Sequence, residues 1–599
     1  MAPTKLNKNQ IILFMPYILF LGLGTFYYNR FAEYIFFYHE KSSLFLVTFQ
    51  YLLEHLRQPG DFLEYLAELQ VSLYFYPILG ALMVTVGICL MVFLLQRIGT
   101  YLSGRLPAVL PFFIGAVLFV MQIDYLYSPV NNLGIIIQVF LFWLTLRFLG
   151  RKGRWIPVAA FFLLYFLFGA YALIFGLMYS VLLWQKKQWL KLTVMWGLTF
   201  TFFLIGAEFL FYQKVETLLI HPFSYEKMGR QLIPFVFTLA LIVSYPVVVQ
   251  LTIARKMSCF AIRRVKLSQF APWVILLAMV IPCWQGIDKK NSHYFYTEKL
   301  FYEQKYEDLI SYNMQFPSNN RLTVFLTNIA LAETGRLSDM LFHFNQSSDG
   351  KTLFPEWQTI TEVLKRGAHY YYCIGMINEA QRWAYEYMVM KGNTPELLKL
   401  LIRTELINGN YETAAKYISV LENTLFYRDE ASYFRGLLYN DSAVNSDAEL
   451  GNKRKRDVKK DFFVITENPL IAVDKITEGD VMNKQALEYK LSWLMLNKDM
   501  KGVVQLLPAM EKAGYTRLPH NVEEVVVTYK LLKMGDMPEL TKLKIDPKTE
   551  QGFQQFYMTF QQNKHNMKQA QRALFHDFAY TYWYYVFLGS LNAKATQDV

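Results

Sequence analysis

Apolar residues gather into eight long stretches over the first half of the chain, at 10–28, 71–95, 106–122, 133–150, 157–184, 189–213, 232–253 and 271–287. Most approach the roughly 20 residues that a helix needs to cross the hydrocarbon of a bilayer. The stretch 157–184 differs from the others in its flanks. Arg147, Arg151, Lys152 and Arg154 precede it, and Lys186, Lys187 and Lys191 follow it, so positive charge sits at both ends. Lys and Arg beside a span are retained in the cytoplasm, and two short helices turning near Gly169 and Ala170 satisfy that rule where a single crossing does not. Counted as a hairpin, 157–184 brings the expectation to nine crossings with the amino terminus inside. Arg255, Lys256, Arg263, Arg264 and Lys266 then stand on the cytoplasmic side of 271–287, which delivers everything after Asp288 outside. Lys5 and Lys8 ahead of the first stretch mark it as a retained span, without a small-residue cleavage site.

The first outward connection, 29–70, is long and amphipathic. After a Pro59-Gly60 break, Asp61, Glu64 and Glu68 share one helical face, and Phe62, Leu63, Leu66 and Leu69 lie opposite. This pattern predicts helices lying along the outer surface. Beyond Asp288 the spacing is helical and no strand-like alternation persists, so the fold class is all-α throughout: a polytopic membrane domain over 1–290 and an aqueous helical domain over 291–599. Residues 441–480 break the pattern and predict a loop or insertion, carrying the basic run Lys453, Arg454, Lys455, Arg456, Lys459 and Lys460. The aromatic segment 566–588 predicts a capping helix, with a membrane contact as the alternative.

Composition sharpens this division. Of 599 residues, 54 % are hydrophobic and 17 % aromatic, an excess concentrated before residue 290. The net charge of +12 lies largely in short loops between apolar stretches and reads as a topology signal. The basic run has no interleaved aromatics to stack on bases, so no nucleic-acid partner is expected. Cys89, Cys259, Cys283 and Cys373 form neither a metal-ligand spacing nor a disulfide framework.

Candidate chemistry lies in the outward connections. His39, Glu40 and Lys41 follow the first span, and Asp124 lies in the second outward connection. An acid from each could share a divalent cation, Mg or Mn, with His39 as a third ligand. The competing reading pairs Glu40 with Lys41 in solvent. Glu208, near the end of its stretch, faces either a cavity or the interface.

This layout resembles the C-type glycosyltransferases, polytopic enzymes that take lipid-linked donors. The resemblance covers about residues 1–290 and implies Glu40 and Asp124 as catalytic acids, although Tyr38-His39-Glu40-Lys41 replaces the paired-acid motif of many members. The whole chain, through Gln58-Pro59-Gly60-Asp61-Phe62-Leu63-Glu64-Tyr65-Leu66 and Asn328-Ile329-Ala330-Leu331-Ala332-Glu333-Thr334-Gly335, also looks like an uncharacterised family of bacterial multi-spanning proteins. That likeness implies a bacterial inner membrane with a periplasmic second domain. In that domain Gly375-Met-Ile-Asn-Glu-Ala380 recurs 34 residues later as Gly409-Asn-Tyr-Glu-Thr-Ala414, which resembles tetratricopeptide repeats over 320–425. Stacked repeats offer a concave face, and Tyr372, Trp383, Tyr387 and Tyr417 are the expected partner-binding residues for a protein or peptide.

Two functions follow. One is a membrane glycosyl- or related group-transferase using a lipid-linked sugar. The other is a non-catalytic scaffold whose repeats capture partners. A transporter ranks below both, because the membrane half shows no internal duplication and few ionisable residues deep in its stretches.

Overall fold

The computed structural model describes residues 8–589 apart from 105, 149–154, 213, 224–227, 255–260, 357–360, 457–461, 463–468 and 481. Every regular element among the described residues is helical. The chain divides into two units, the first running to Ser292 and including Asn423–Phe426, the second formed by the remainder from His293 onward.

In the first unit, α1 (Lys8–Phe31) leads into the surface helices α2 (Glu33–Ser42), α3 (Phe49–Glu54) and α4 (Asp61–Ser72). The apolar helices follow as α5 (Pro77–Ser103), α6 (Val109–Met121), α7 (Pro129–Phe148), α8 (Ile156–Phe168), α9 (Ala172–Gln185) and α10 (Trp189–Ile205). Short α11 (Val215–Ile220) precedes α12 (Leu232–Ala254), α13 (Ala261–Ala278) and α14 (Val280–Gln285). At the centre, α5 packs against α1, α2, α6, α7 and α12. Pro77 opens it in the first turn, where a missing N–H costs nothing. Its buried stripe runs Ala81, Val84, Thr85, Ile88, Met91, Val92 and Leu95, positions that recur on one helical face. Thr85 fits this apolar contact because its hydroxyl donates back to the Ala81 carbonyl at 2.8 Å. Apolar side chains also cover the outside: Ile233 is 82 % and Leu277 74 % exposed, a surface compatible with a membrane.

The expected apolar stretches form helix, but among the described residues five helical stretches are long and apolar enough to cross a membrane, or six if the bent pair Phe270–Gln285 and Lys289–Tyr302 counts as one. The expectation was nine. Length explains part of the shortfall: α6 has 13 residues, and Ile156–Gln185, which counts once, is divided between α8 with 13 and α9 with 14, whereas α1, with 24 residues, and the segment Phe270–Gln285, part of the bent pair, also fall outside the five. At 1.5 Å per residue α6, α8 and α9 are each about 20 Å long, short of the roughly 30 Å hydrocarbon core. The chain reverses between α8 and α9. Phe161 lies 6.5 Å from Phe175, and Trp155 before α8 stacks 5.1 Å from the Lys191 ammonium beyond α9. Gly169–Tyr171 makes the turn where the flanking charges located it.

The second unit opens with α15 (Lys289–Tyr302), α16 (Tyr306–Gln315), α17 (Arg321–Glu333) and α18 (Leu337–Met340). Two helix pairs follow, α19 (Thr361–Cys373) with α20 (Ile377–Lys391) and α21 (Pro395–Asn408) with α22 (Tyr411–Glu422), turning at Gly375 and Gly409. Successive helices of these pairs pack on one another, and Ala380 and Ala414 are fully buried at the equivalent contacts. The expected loop at 441–480 is replaced, among described residues, by the helices Asp441–Ser446, Leu450–Arg456 and Pro469–Gly479. Lys459 and Lys460 lie outside the described residues, as do Arg255 and Lys256. The segment 566–588 forms the helices Met567–Phe578 and Tyr582–Leu588. Tyr582 and Trp583 are buried within the unit, the Tyr582 amide donating to the Glu524 carboxylate and the Trp583 indole to the Glu524 carbonyl.

Candidate functional site

Three distant segments meet at the carboxyl end of α8. Gly60 precedes α4 with φ +100° and donates its amide to the Phe166 carbonyl at 2.9 Å, satisfying an acceptor of the last turn of α8. Ala170, in the α8–α9 turn, donates to the carbonyl of His221 at 2.9 Å. His221 ends α11, and Pro222 follows it against both glycines. A Cβ on Gly60 would lie 2.9 Å from the His221 ring and 3.0 Å from Pro222, while one on Gly169, at φ +56°, would collide with the His221 carbonyl. Only glycine meets the backbone angle and the clearance at both positions.

This backbone clasp places side chains with chemistry. Asp61 and Glu64 stand one turn apart on α4, and His221 faces them from the other segment. One ligand atom of each lies within 4.8 Å of the others, and no other such group of three occurs among the described residues. His221 Nε2 and Asp61 Oδ1 are 2.7 Å apart, with both side chains partly buried. Burial disfavours the imidazolium, but the hydrogen bond to Asp61 and the charges of Glu64 and Asp61 outweigh it, so the His221 pKa is raised. The acids also sit at a helix amino terminus, whose partial positive charge favours carboxylates.

Further along the same face, Glu68 accepts a short hydrogen bond from the Tyr51 hydroxyl and lies 3.7 Å from His55 Nε2. Burial is the largest influence on Glu68; it exceeds the lowering by Tyr51 and His55 and raises the carboxyl pKa. The face Asp61, Glu64 and Glu68 that the sequence separated from its apolar side is thus flanked by a histidine at each end.

The structure places the expected acids elsewhere. Glu40 is buried in α2 with Lys41 Nζ 3.3 Å from its carboxylate. His39 is pulled by burial down to about 4, partly offset by a hydrogen bond to the Tyr127 backbone, and its Nε2 has no hydrogen-bond partner. Asp124 turns its carboxylate onto the Leu126 amide at 3.0 Å. The two connections meet through Tyr38 and Tyr125, whose rings are 5.0 Å apart. His39, Glu40 and Asp124 do not gather into a three-ligand group. Glu208 lies exposed in a π turn, Gly206–Leu210, after α10. In the second unit Tyr372, Trp383 and Tyr387 are buried, with the Trp383 indole donating to Glu379 at 2.7 Å and the Tyr372 hydroxyl to Glu449 at 2.8 Å. Tyr417 is half-buried. His221 carried no signal in the sequence, being a single histidine 160 residues from its partner.

An all-helical protein with an apolar bundle, an Asp–Glu–His cluster at the end of α8 and a second helical unit is the class these observations define. The chain belongs to a family of unknown function, DUF6057, matched over residues 8–589. No curated protein and no solved structure matches it.

Proposed function

We propose that this chain is a membrane-embedded group transferase that takes a lipid-linked donor, with a sugar carried on a lipid phosphate as the first class to test. Its reaction centre is Asp61, Glu64 and His221, in place of Glu40 and Asp124. The supporting observation is the meeting of three connections, at Gly60, Gly169 and His221, that the charge rule assigns to one outward side. A titratable cluster there stands where a lipid phosphate and a water-borne acceptor can both reach it. In the transfer, a carboxylate takes the proton of an acceptor hydroxyl as its oxygen bonds to the sugar carbon. The bond from that carbon to the phosphate oxygen breaks, and its electron pair leaves with the lipid phosphate.

The same reading carries nine crossings of a bacterial inner membrane, the α8–α9 pair among them, with the amino terminus cytoplasmic and the second unit periplasmic. A second function, a scaffold binding protein or peptide partners on tetratricopeptide-like repeats, draws on the successive pairs α19–α20 and α21–α22. The test is the pool of lipid-linked glycans in cells lacking the gene, complemented by the wild type, by Asp61→Asn/Glu64→Gln, or by a chain deleted for 360–425. Donor lipid should accumulate with the double variant as it does without the gene, at unchanged levels of membrane-inserted protein. Full complementation by the double variant would overturn the transferase reading, and failure of the deletion alone would favour the scaffold.

A further inference from the structure

We infer that Asp61, Glu64 and His221 form a binding site for one divalent transition metal, of the Mn, Fe or Zn class. The inference depends on the transferase reading only for what the ion would do; the binding itself stands apart from it.

The donor set selects the metal. Two carboxylates alone would suit Mg or Ca, but an imidazole nitrogen shifts preference toward softer first-row ions. Ligand distances of about 2.0–2.2 Å put donor atoms on one ion no more than about 4.4 Å apart, and these three already lie within 4.8 Å. Small rotamer adjustments of Asp61 and Glu64 close the remainder. The backbones that carry the ligands are fixed before any ion arrives. Gly60 is hydrogen-bonded to Phe166 and His221 to Ala170, and the two glycines, lacking a Cβ, let the three segments approach this closely. Pre-organisation of this kind lowers the cost of gathering ligands. Three protein donors leave further positions open for water or an anionic oxygen, the pattern of reactive rather than purely structural metal sites.

The competing arrangement is an ion pair of His221 with Asp61 that needs no metal. Titration of full-length protein in detergent, after chelator treatment, separates the two, with Mn²⁺ followed by electron paramagnetic resonance and Zn²⁺, Mg²⁺ and Ca²⁺ by calorimetry. One equivalent of Mn²⁺ or Zn²⁺ should bind, and far more tightly than Mg²⁺ or Ca²⁺. His221→Gln and Asp61→Asn should each weaken binding at least about tenfold, the loss that even an outer-shell partner causes. Glu64→Gln gives a third reading if either variant elutes as aggregate. Glu40→Gln/Asp124→Asn should leave affinity unchanged. Binding insensitive to all three ligand variants is an adventitious ion only and overturns the assignment, as does binding lost in the Glu40/Asp124 pair or absent altogether. A bound metal with full complementation by Asp61→Asn/Glu64→Gln would sink the transferase reading and leave this one standing.

Discussion

His369 illustrates how strongly burial acts on single residues in this chain. Its ring lies 5.2 Å from Phe301 and 5.7 Å from Tyr302, and burial, assisted by the charge of Arg403, lowers its pKa to about 3. The unfolded chain, with a histidine near 6.5, binds more protons between about pH 6.5 and 3, so stability is full above that window and falls as pH drops through it. The slope from this residue is at most about 1.4 kcal/mol per pH unit. His369→Phe should flatten the decline in melting temperature between pH 7 and 5, and an unchanged decline would assign it to other groups. His369 and His221 were equally silent in the sequence, because a lone histidine takes its meaning from neighbours that only the fold supplies. The acids of α4 were legible as one face, whereas their convergence with His221 depends on backbone contacts at Gly60 and Ala170 that no spacing announces.

Among elements, the helix Leu450–Arg456 departs most from what its residues suggest. Four consecutive bases read as a solvated loop, yet Lys453 is buried, its ammonium 2.7 Å from Glu333 and 2.9 Å from the Cys373 carbonyl. Arg454 donates to the Ile407 and Leu406 carbonyls at 2.9 and 2.8 Å, capping the end of α21. Basic groups thus close the carboxyl ends of α19 and α21, where orphan carbonyls and the helix dipole favour cations. Lys453→Met leaves the Glu333 carboxylate without its cation and should cost about 3 kcal/mol, much of which Lys453→Met/Glu333→Leu should regain. Denaturant unfolding of the full chain followed by Trp fluorescence measures both; an equal loss in the double variant would mean the pair acts by packing. The apolar stretches, by contrast, were legible as helices, 157–184 and 232–253 to within a residue and 71–95 displaced by six to eight residues from Pro77–Ser103, because their period and flanking charge are local properties. The turn at Gly169 shared that legibility, since the lysines and arginines on either side demanded a reversal.

For the molecule as a whole, the proposed topology predicts that reporters fused after residues 170 and 300 report the outer side and one fused within 261–266 the inner side. A cytoplasmic signal at both 170 and 300 would remove the nine-crossing arrangement. Length was what the sequence left undecided: apolar composition marks where a helix can meet lipid, but not how much of a crossing each segment completes. The α8–α9 pair, at about 20 Å per helix, falls short of a hydrocarbon layer of roughly 30 Å. In the proposed topology, local thinning is one way a bilayer would accommodate such a pair, and it would draw the membrane surface toward the turn at Gly169. For the proposed transferase, a lipid phosphate following that dip would descend to the level of Asp61 and His221 with its tail still in hydrocarbon, and the thickness of the surrounding bilayer would control access to the cluster.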